Sequence, residues 1–381
     1  MQLSRPSARA ALLAAATALV ALSVAASSAS AASFSGGTIK IDFKGLKGAK
    51  QTNKGTTAKN TFTFPENAGT LTMTKQASGS LKVGATTNSV TLTRGGKKLV
   101  LQSFVEKLSS GKGQLTAKIN GKGKAIAFFD QASTNRVNPD SEFTTLSMSS
   151  AKMTLTKAGA AALNKAFALK GKAVYKAKEA AGTSSFTANR SLTVTGGNTT
   201  TLYNKEFIDA LKGCGLTLNT IAPAQSIEVS QTAPAGGVIF PVNATAGGTI
   251  NAKTFSGQVN HAGGNQLDRD ASHPRGDYHS PLLNYVFGLG PVQPYTLTIF
   301  VQLSNNNLPA GEVTGTLARN LTDTGGSISL TGGTIKLSDA ARGALAQKRD
   351  PNIQGPQLGA DCTELPSPAF IGTAEGAWQV E

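Results

Sequence analysis

The chain has 381 residues and a formal net charge of +16, with 39% hydrophobic but only 6% aromatic residues, 42 glycines, three histidines and two cysteines. Such a chain can build globular cores, but it has too few cysteines for a disulfide-dense scaffold or a cysteine-ligated zinc module. The charge is uneven: residues 33–190 hold 25 Lys/Arg against 7 Asp/Glu, whereas residues 191–381 hold 10 against 14.

Residues 1–31 read as a secretory signal peptide. Arg5 and Arg9 lie ahead of an apolar run ending at Ala26, and Ala29-Ser30-Ala31 supplies a cleavage site, so the mature chain is expected to begin near Ala32. No later stretch is long and apolar enough to span a membrane, and the expected location is extracellular or cell-wall associated. Ile39, Ile41 and Phe43 then alternate with Lys40, Asp42 and Lys44, the pattern of a strand with one face inward. Similar runs recur at Leu99–Leu101, Leu115–Ile119 and Met153–Leu155, separated by Gly-Gly, Asn-Gly and Ser-Gly turns. Thr156 then supplies a capping hydroxyl for a short Ala-rich helix.

The second half opens at Thr195 with TGGNTTTLYNKEFIDAL, a strand running into a helix. Residues 265–295, NQLDRDASHPRGDYHSPLLNYVFGLGPVQPY, interrupt the strand pattern and are expected to form a long loop. Strands resume at Tyr295–Leu303, Val313–Leu317 and Ile328–Leu330, and Ser338 caps a final helix over DAARGAL. Residues 348–381 read as a Pro-rich tail.

The two halves repeat one another. Phe64-Pro65, Gly69-Thr70-Leu71 and Ser78-Gly79 recur in order as Phe240-Pro241, Gly248-Thr249-Ile250 and Ser256-Gly257, and LTKAGAAAL from Leu155 lies over LSDAARGAL from Leu337. This is the signature of a duplicated domain. The expected architecture is all-β: two tandem antiparallel β-sandwich or β-roll domains, 32–190 and 191–347, each with a short capping helix, and a tail tethered by a disulfide between Cys214 and Cys362.

No nucleophile elbow, zincin motif or phosphate loop appears, so a binding protein is expected rather than an enzyme. All three histidines, His261, His273 and His279, fall within 19 residues, beside Tyr285; imidazole and phenol are groups on which a metal or haem site draws. None has zinc-ligand spacing, and no metal site is assigned. Lys40, Lys44, Lys47, Lys118, Lys122 and Lys124 stand on outward positions of the basic half, whose field could attract an anionic cell-wall polymer. Nucleic acid is excluded as a partner, since aromatic residues do not interleave these lysines and the chain reads as exported.

The Phe-Pro, Gly-Thr-aliphatic and Ser-Gly steps, closed by the terminal L-[ST]-x-A-x-x-x-A-L, resemble the HtaA-type domain, the haem-transport-associated module of actinobacterial surface and secreted proteins. The resemblance covers about residues 35–170 and 192–346. It implies an extracellular β-rich binder whose best-known members hold haem iron through tyrosine and histidine. On this chain that points to the second half, with His261 and Tyr203 or Tyr285 near the iron. The family's opening Trp and Ser-Phe-x-x-Tyr element are missing from SFSGGTIKIDFKGL, and His261 follows Asn260 where the family has Gly. The function expected is ligand binding, haem or a small molecule, through the second domain; the alternative is an envelope role through the lysines of the first.

Overall fold

The structure is a computed structural model that describes residues 32–67, 69–73, 76–84, 87–109, 112–131, 137–290, 295–303, 306–348 and 359–381. Residues 1–31, the expected signal peptide, lie outside the described residues. So do 132–136, 291–294 and 349–358, parts of the first domain, the 265–295 segment and the tail.

Strand pairing closes on itself twice. The first ring runs from Ala32–Asp42 through Leu71–Met73, Ala77–Lys82, Lys97–Ser109, Lys112–Ile119, Lys122–Gln131 and Thr145–Leu155 to the strand Ala180–Tyr203, whose first half pairs back onto Ala32–Asp42. The second starts from the other half of Ala180–Tyr203. It passes through Thr249–Asn251, Gly257–Asn260, Tyr278–Leu289, Tyr295–Leu303, Asn306–Leu321 and Gly326–Leu337 to Phe370–Val380, which pairs back onto Ala180–Tyr203. Every one of these pairings is antiparallel. The all-β expectation holds, in the form of closed rolls with few helices. Among the described residues, closure gives every ring strand a partner on both sides.

Each ring has its own core: one reaches from Ala32 to Ala188, the other from Leu192 to Val380. The two share a single 24-residue strand, Ala180–Tyr203. The 190/191 boundary drawn from sequence thus falls inside a strand. Arg190, 1% exposed, closes the seam by donating to the carbonyls of Phe143 in the first ring and of Thr322 and Asp323 in the second.

The repeated Gly-Gly pairs act alike in both rings. Gly37 (φ +114°) and Gly197 (φ +102°) sit at strand bulges, and a Cβ on either would come within 2.0 Å of a facing carbonyl oxygen, of Thr187 and Ala377 respectively. They provide a common origin for aligning the halves.

Two sequence expectations need correction. Residues 265–295 are largely strand: Gly264–Arg269 and Tyr278–Leu289 form a hairpin in continuous register, with Pro281 paired against Gln266. Residues 370–380, assigned to the tail, form the strand that closes the second ring, and their Trp378 is fully buried.

Candidate functional site

One end of the second ring is closed by two helices. Lys205–Gly213 starts where the Asn204 side chain accepts from the Glu206 N–H, and it buries Phe207 and Leu211. Asp339–Ala346 starts where the Ser338 hydroxyl accepts from the Ala341 N–H, and it buries Ala341 and Leu345. The Cys214–Cys362 disulfide fastens the C-terminal end of the first helix to the segment that follows the second. That segment is pinned in turn by the Ala360 and Cys362 N–H groups, both donating to the Leu345 carbonyl. Arg269 adds a further tie, donating to the carbonyls of Gly276, Cys214 and Ala360. The predicted disulfide is therefore formed. It anchors the helices that roof the ring end.

Beneath the helices lies a cavity of about 100 Å³, walled by Phe207, Leu211, Phe240, Leu267, Leu282, Phe287, Leu337 and Leu345 among others. Among the described residues no charged side chain lines it. Its polar groups come from Thr201, Tyr203, Asn265 and Tyr285. The Asn265 amide Nδ2 donates to the Tyr203 hydroxyl (2.9 Å) and lies 3.4 Å from the Tyr285 hydroxyl. Asn265 is 5% exposed, yet its Oδ1 finds no partner among the described residues. Burial raises the pKa of both phenols above the ordinary tyrosine value, with Asn265 opposing. Both stay neutral at physiological pH.

His261 is nearby but does not line the cavity. It is 1% exposed, with Nε2 2.7 Å from the Thr199 hydroxyl and Nδ1 3.1 Å from the Tyr285 carbonyl. The Trp378 indole N–H donates to the same Thr199 oxygen (3.0 Å). This leaves one consistent proton assignment: Trp378 to Thr199, Thr199 to His261 Nε2, and His261 Nδ1–H to the Tyr285 carbonyl. Both ring nitrogens are engaged, and burial lowers the His261 pKa to about 4.

The other histidines lie elsewhere. His273 Nδ1 accepts from the Arg275 N–H in the turn beside Gly215, close to the disulfide. His279 is exposed, between Asp268 (2.6 Å) and Asp277 (3.1 Å). The structure thus brings Tyr203, Tyr285 and His261 together and separates them from His273 and His279. Among the described residues, the one cluster of at least three groups that could ligate a metal is Cys214, Cys362 and Glu364, and its two sulfurs are joined to each other.

The lysines divide as well. Lys118, Lys122 and Lys124 flank the Asn120-Gly121 hairpin. Lys40, exposed, and Lys44, paired with Asp42 at 3.3 Å, lie at the end of strand Ala32–Asp42, with Lys47 exposed in the turn beyond.

Alignment of the rings shows what is particular to the second. Six residues past Gly37 and Gly197 stand Phe43 and Tyr203. The registered pairs Gly79/Leu108 and Gly257/Leu289 set Phe104 against Tyr285 and Glu106 against Phe287. The first ring therefore has phenylalanine at both tyrosine positions, and Phe43 stacks on Phe129 (centroids 4.6 Å apart). Asn265 was missed in the sequence, although a readable signal existed: it shares the inward phase of its strand with Leu267, where a polar side chain is out of place.

The fold and site define a closed antiparallel β-roll with a cavity beneath its helices, lined among the described residues by uncharged side chains. No protein-family model matches the chain, and no curated protein matches it. Among solved structures it is similar to the C-terminal domain of HtaA from Corynebacterium glutamicum, at 16% identity and TM-score 0.31, over 42% of this chain and 99% of that one. The N-terminal domain of the same protein matches at 16% identity and TM-score 0.27, over 42% and 98%. A domain-swapped dimeric variant of the C-terminal domain matches at 16% and 0.27, over 50% and 98%. Likenesses at these scores carry no functional weight.

Proposed function

We propose that the protein is an exported, non-catalytic binding protein whose second ring holds a small organic ligand beneath its two helices. The observation that supports this best is the buried amide of Asn265, held between two tyrosine hydroxyls in a largely apolar cavity with its oxygen unpartnered among the described residues. Buried polar groups are as a rule satisfied, and an unsatisfied one in a cavity is a place for a ligand atom. The disulfide suits an oxidising compartment.

Haem, the ligand that the HtaA resemblance implies, does not fit the residues as they stand. Pockets for ligands of drug size run from about 300 to 1,000 Å³, well above the volume here. Raised phenol pKa values oppose a tyrosinate ligand, and both His261 nitrogens are taken. Of the expected ligand residues, Tyr203 and Tyr285 line the cavity and His261 does not.

The test is calorimetric titration of residues 32–381 with toluene, together with a haem titration followed by the Soret band. Saturable toluene binding that Leu345→Trp abolishes is the expected result. Failure of both ligands to bind would overturn the proposal, as would toluene binding indifferent to Leu345→Trp. A saturable Soret shift lost in Tyr203→Phe would instead show that the helices part to admit a porphyrin. Attraction of a polyanion to the lysines, the rival reading, would collapse as salt is raised.

A further inference from the structure

Resting on that reading, we infer that the cavity selects an uncharged, hydroxyl-bearing aromatic molecule of about one ring, a phenol or cresol, through Asn265, Tyr203 and Tyr285. Size comes first. A buried apolar cavity of about 150 Å³ takes a benzene-sized guest, and the volume here is of the same order, about 100 Å³.

Charge comes second. Among the described residues the lining contains no ionised side chain, so a carboxylate or ammonium would be desolvated without a counter-charge, which costs far more than the cavity can return. The guest is neutral.

Hydrogen bonding comes third. With the amide as placed, Asn265 Nδ2 serves the two tyrosine oxygens and Oδ1 is left as an unpaired acceptor, while the tyrosine O–H groups have no acceptor among the described residues. With the amide turned over, the tyrosines donate to its oxygen and its N–H groups are left unpaired. One guest hydroxyl serves either arrangement, because it can donate and accept at the same atom. An apolar guest serves neither.

The first ring provides the contrast. It has the same strand order and a helix at the same end, but Phe43 and Phe104 stand where Tyr203 and Tyr285 do. At these two positions the hydroxyls thus belong to the second ring alone, where they line its cavity.

The test is calorimetry on residues 32–381 with phenol, toluene and benzoate, on the wild type, Asn265→Leu and Tyr285→Phe, each checked for folding by its thermal transition. We expect phenol to bind at least about tenfold more tightly than toluene, a difference of about 1.4 kcal/mol, and benzoate not to bind. Asn265→Leu should bring phenol and toluene together; Tyr285→Phe, which keeps the ring and removes one oxygen, should narrow the gap. Equal affinities in the wild type, or a phenol preference that survives Asn265→Leu, would overturn this inference while leaving the binding cavity in place. Silence from both phenol and toluene would remove the inference and, with a silent haem titration, the binding function too.

Discussion

Glu106 should make the first ring lose stability as the solution becomes alkaline. It is fully buried on strand Lys97–Ser109, where its Oε2 accepts from Gln131 Nε2 (2.8 Å), which also donates to the Ser184 hydroxyl (2.9 Å). In register, these three residues stand where the second ring has Phe287, Val313 and Ala374, all buried and apolar. Burial raises the Glu106 pKa from 4.5 to about 8, with the Gln131 hydrogen bond opposing. The folded chain therefore holds a proton between pH 4.5 and 8 that the unfolded chain releases. The group's contribution is complete below the unfolded pKa, falls as pH rises through this window and is gone above the folded pKa. At about 1.4 kcal/mol per unit, the difference approaches 5 kcal/mol as an order of magnitude. Protonation also turns Glu106 into a donor, the partner that the buried Gln131 Oε1 lacks. Urea unfolding of the wild type and Glu106→Gln at pH 5, 6.5, 8 and 9 at constant ionic strength measures the effect. The variant should gain on the wild type by several kcal/mol between pH 5 and 8, with no further change above. A stability difference that is the same at every pH would refute the reasoning.

His261 works in the opposite sense: its pKa falls from 6.5 to about 4 on burial, so stability present above pH 6.5 is lost as pH drops toward 4, by about 3 kcal/mol. Melting curves of His261→Leu should lack this acid slope, and at pH 7 the variant should be less stable by about 1–3 kcal/mol, because Thr199 loses the partner it donates to. Reducing Cys214–Cys362, whose cysteines are 148 residues apart, should cost up to about 5 kcal/mol by the chain-entropy relation. A melting temperature unmoved by reductant would show that the neighbouring hydrogen bonds hold the helices unaided.

Much of the fold was legible because inward and outward residues alternate in chemistry as well as in space. Ile39, Ile41 and Phe43 are buried as their spacing requires, and the hydroxyls of Thr156 and Ser338 cap helices where the sequence placed them. The closing strand Phe370–Val380 was hidden because Gly372, Ala374 and Gly376, three of its five inward residues, are too small to mark a buried face. Arg190 concealed the long strand in another way, by putting a charge on an inward position. The hairpin through Tyr278 was masked by its proline and its charged turn. The site was half legible. Tyr203, Tyr285 and His261 do converge, but sequence proximity also drew in His273 and His279, which the hairpin carries away. Nothing in the spacing reveals that both His261 nitrogens are occupied.

Strand Ala180–Tyr203 imposes a condition of parity on the whole chain. Its inward residues are the even-numbered ones from Ser184 to Val194, without a break at the seam, and the Gly196-Gly197 bulge then hands the inward face to Thr199 and Thr201. The two rings thus count from a common origin. Inserting one residue beside Arg190 would turn the core side of one ring outward, whereas inserting two would preserve the sense of both. Length changes tolerated elsewhere as loop variation are filtered here by whether they are odd or even.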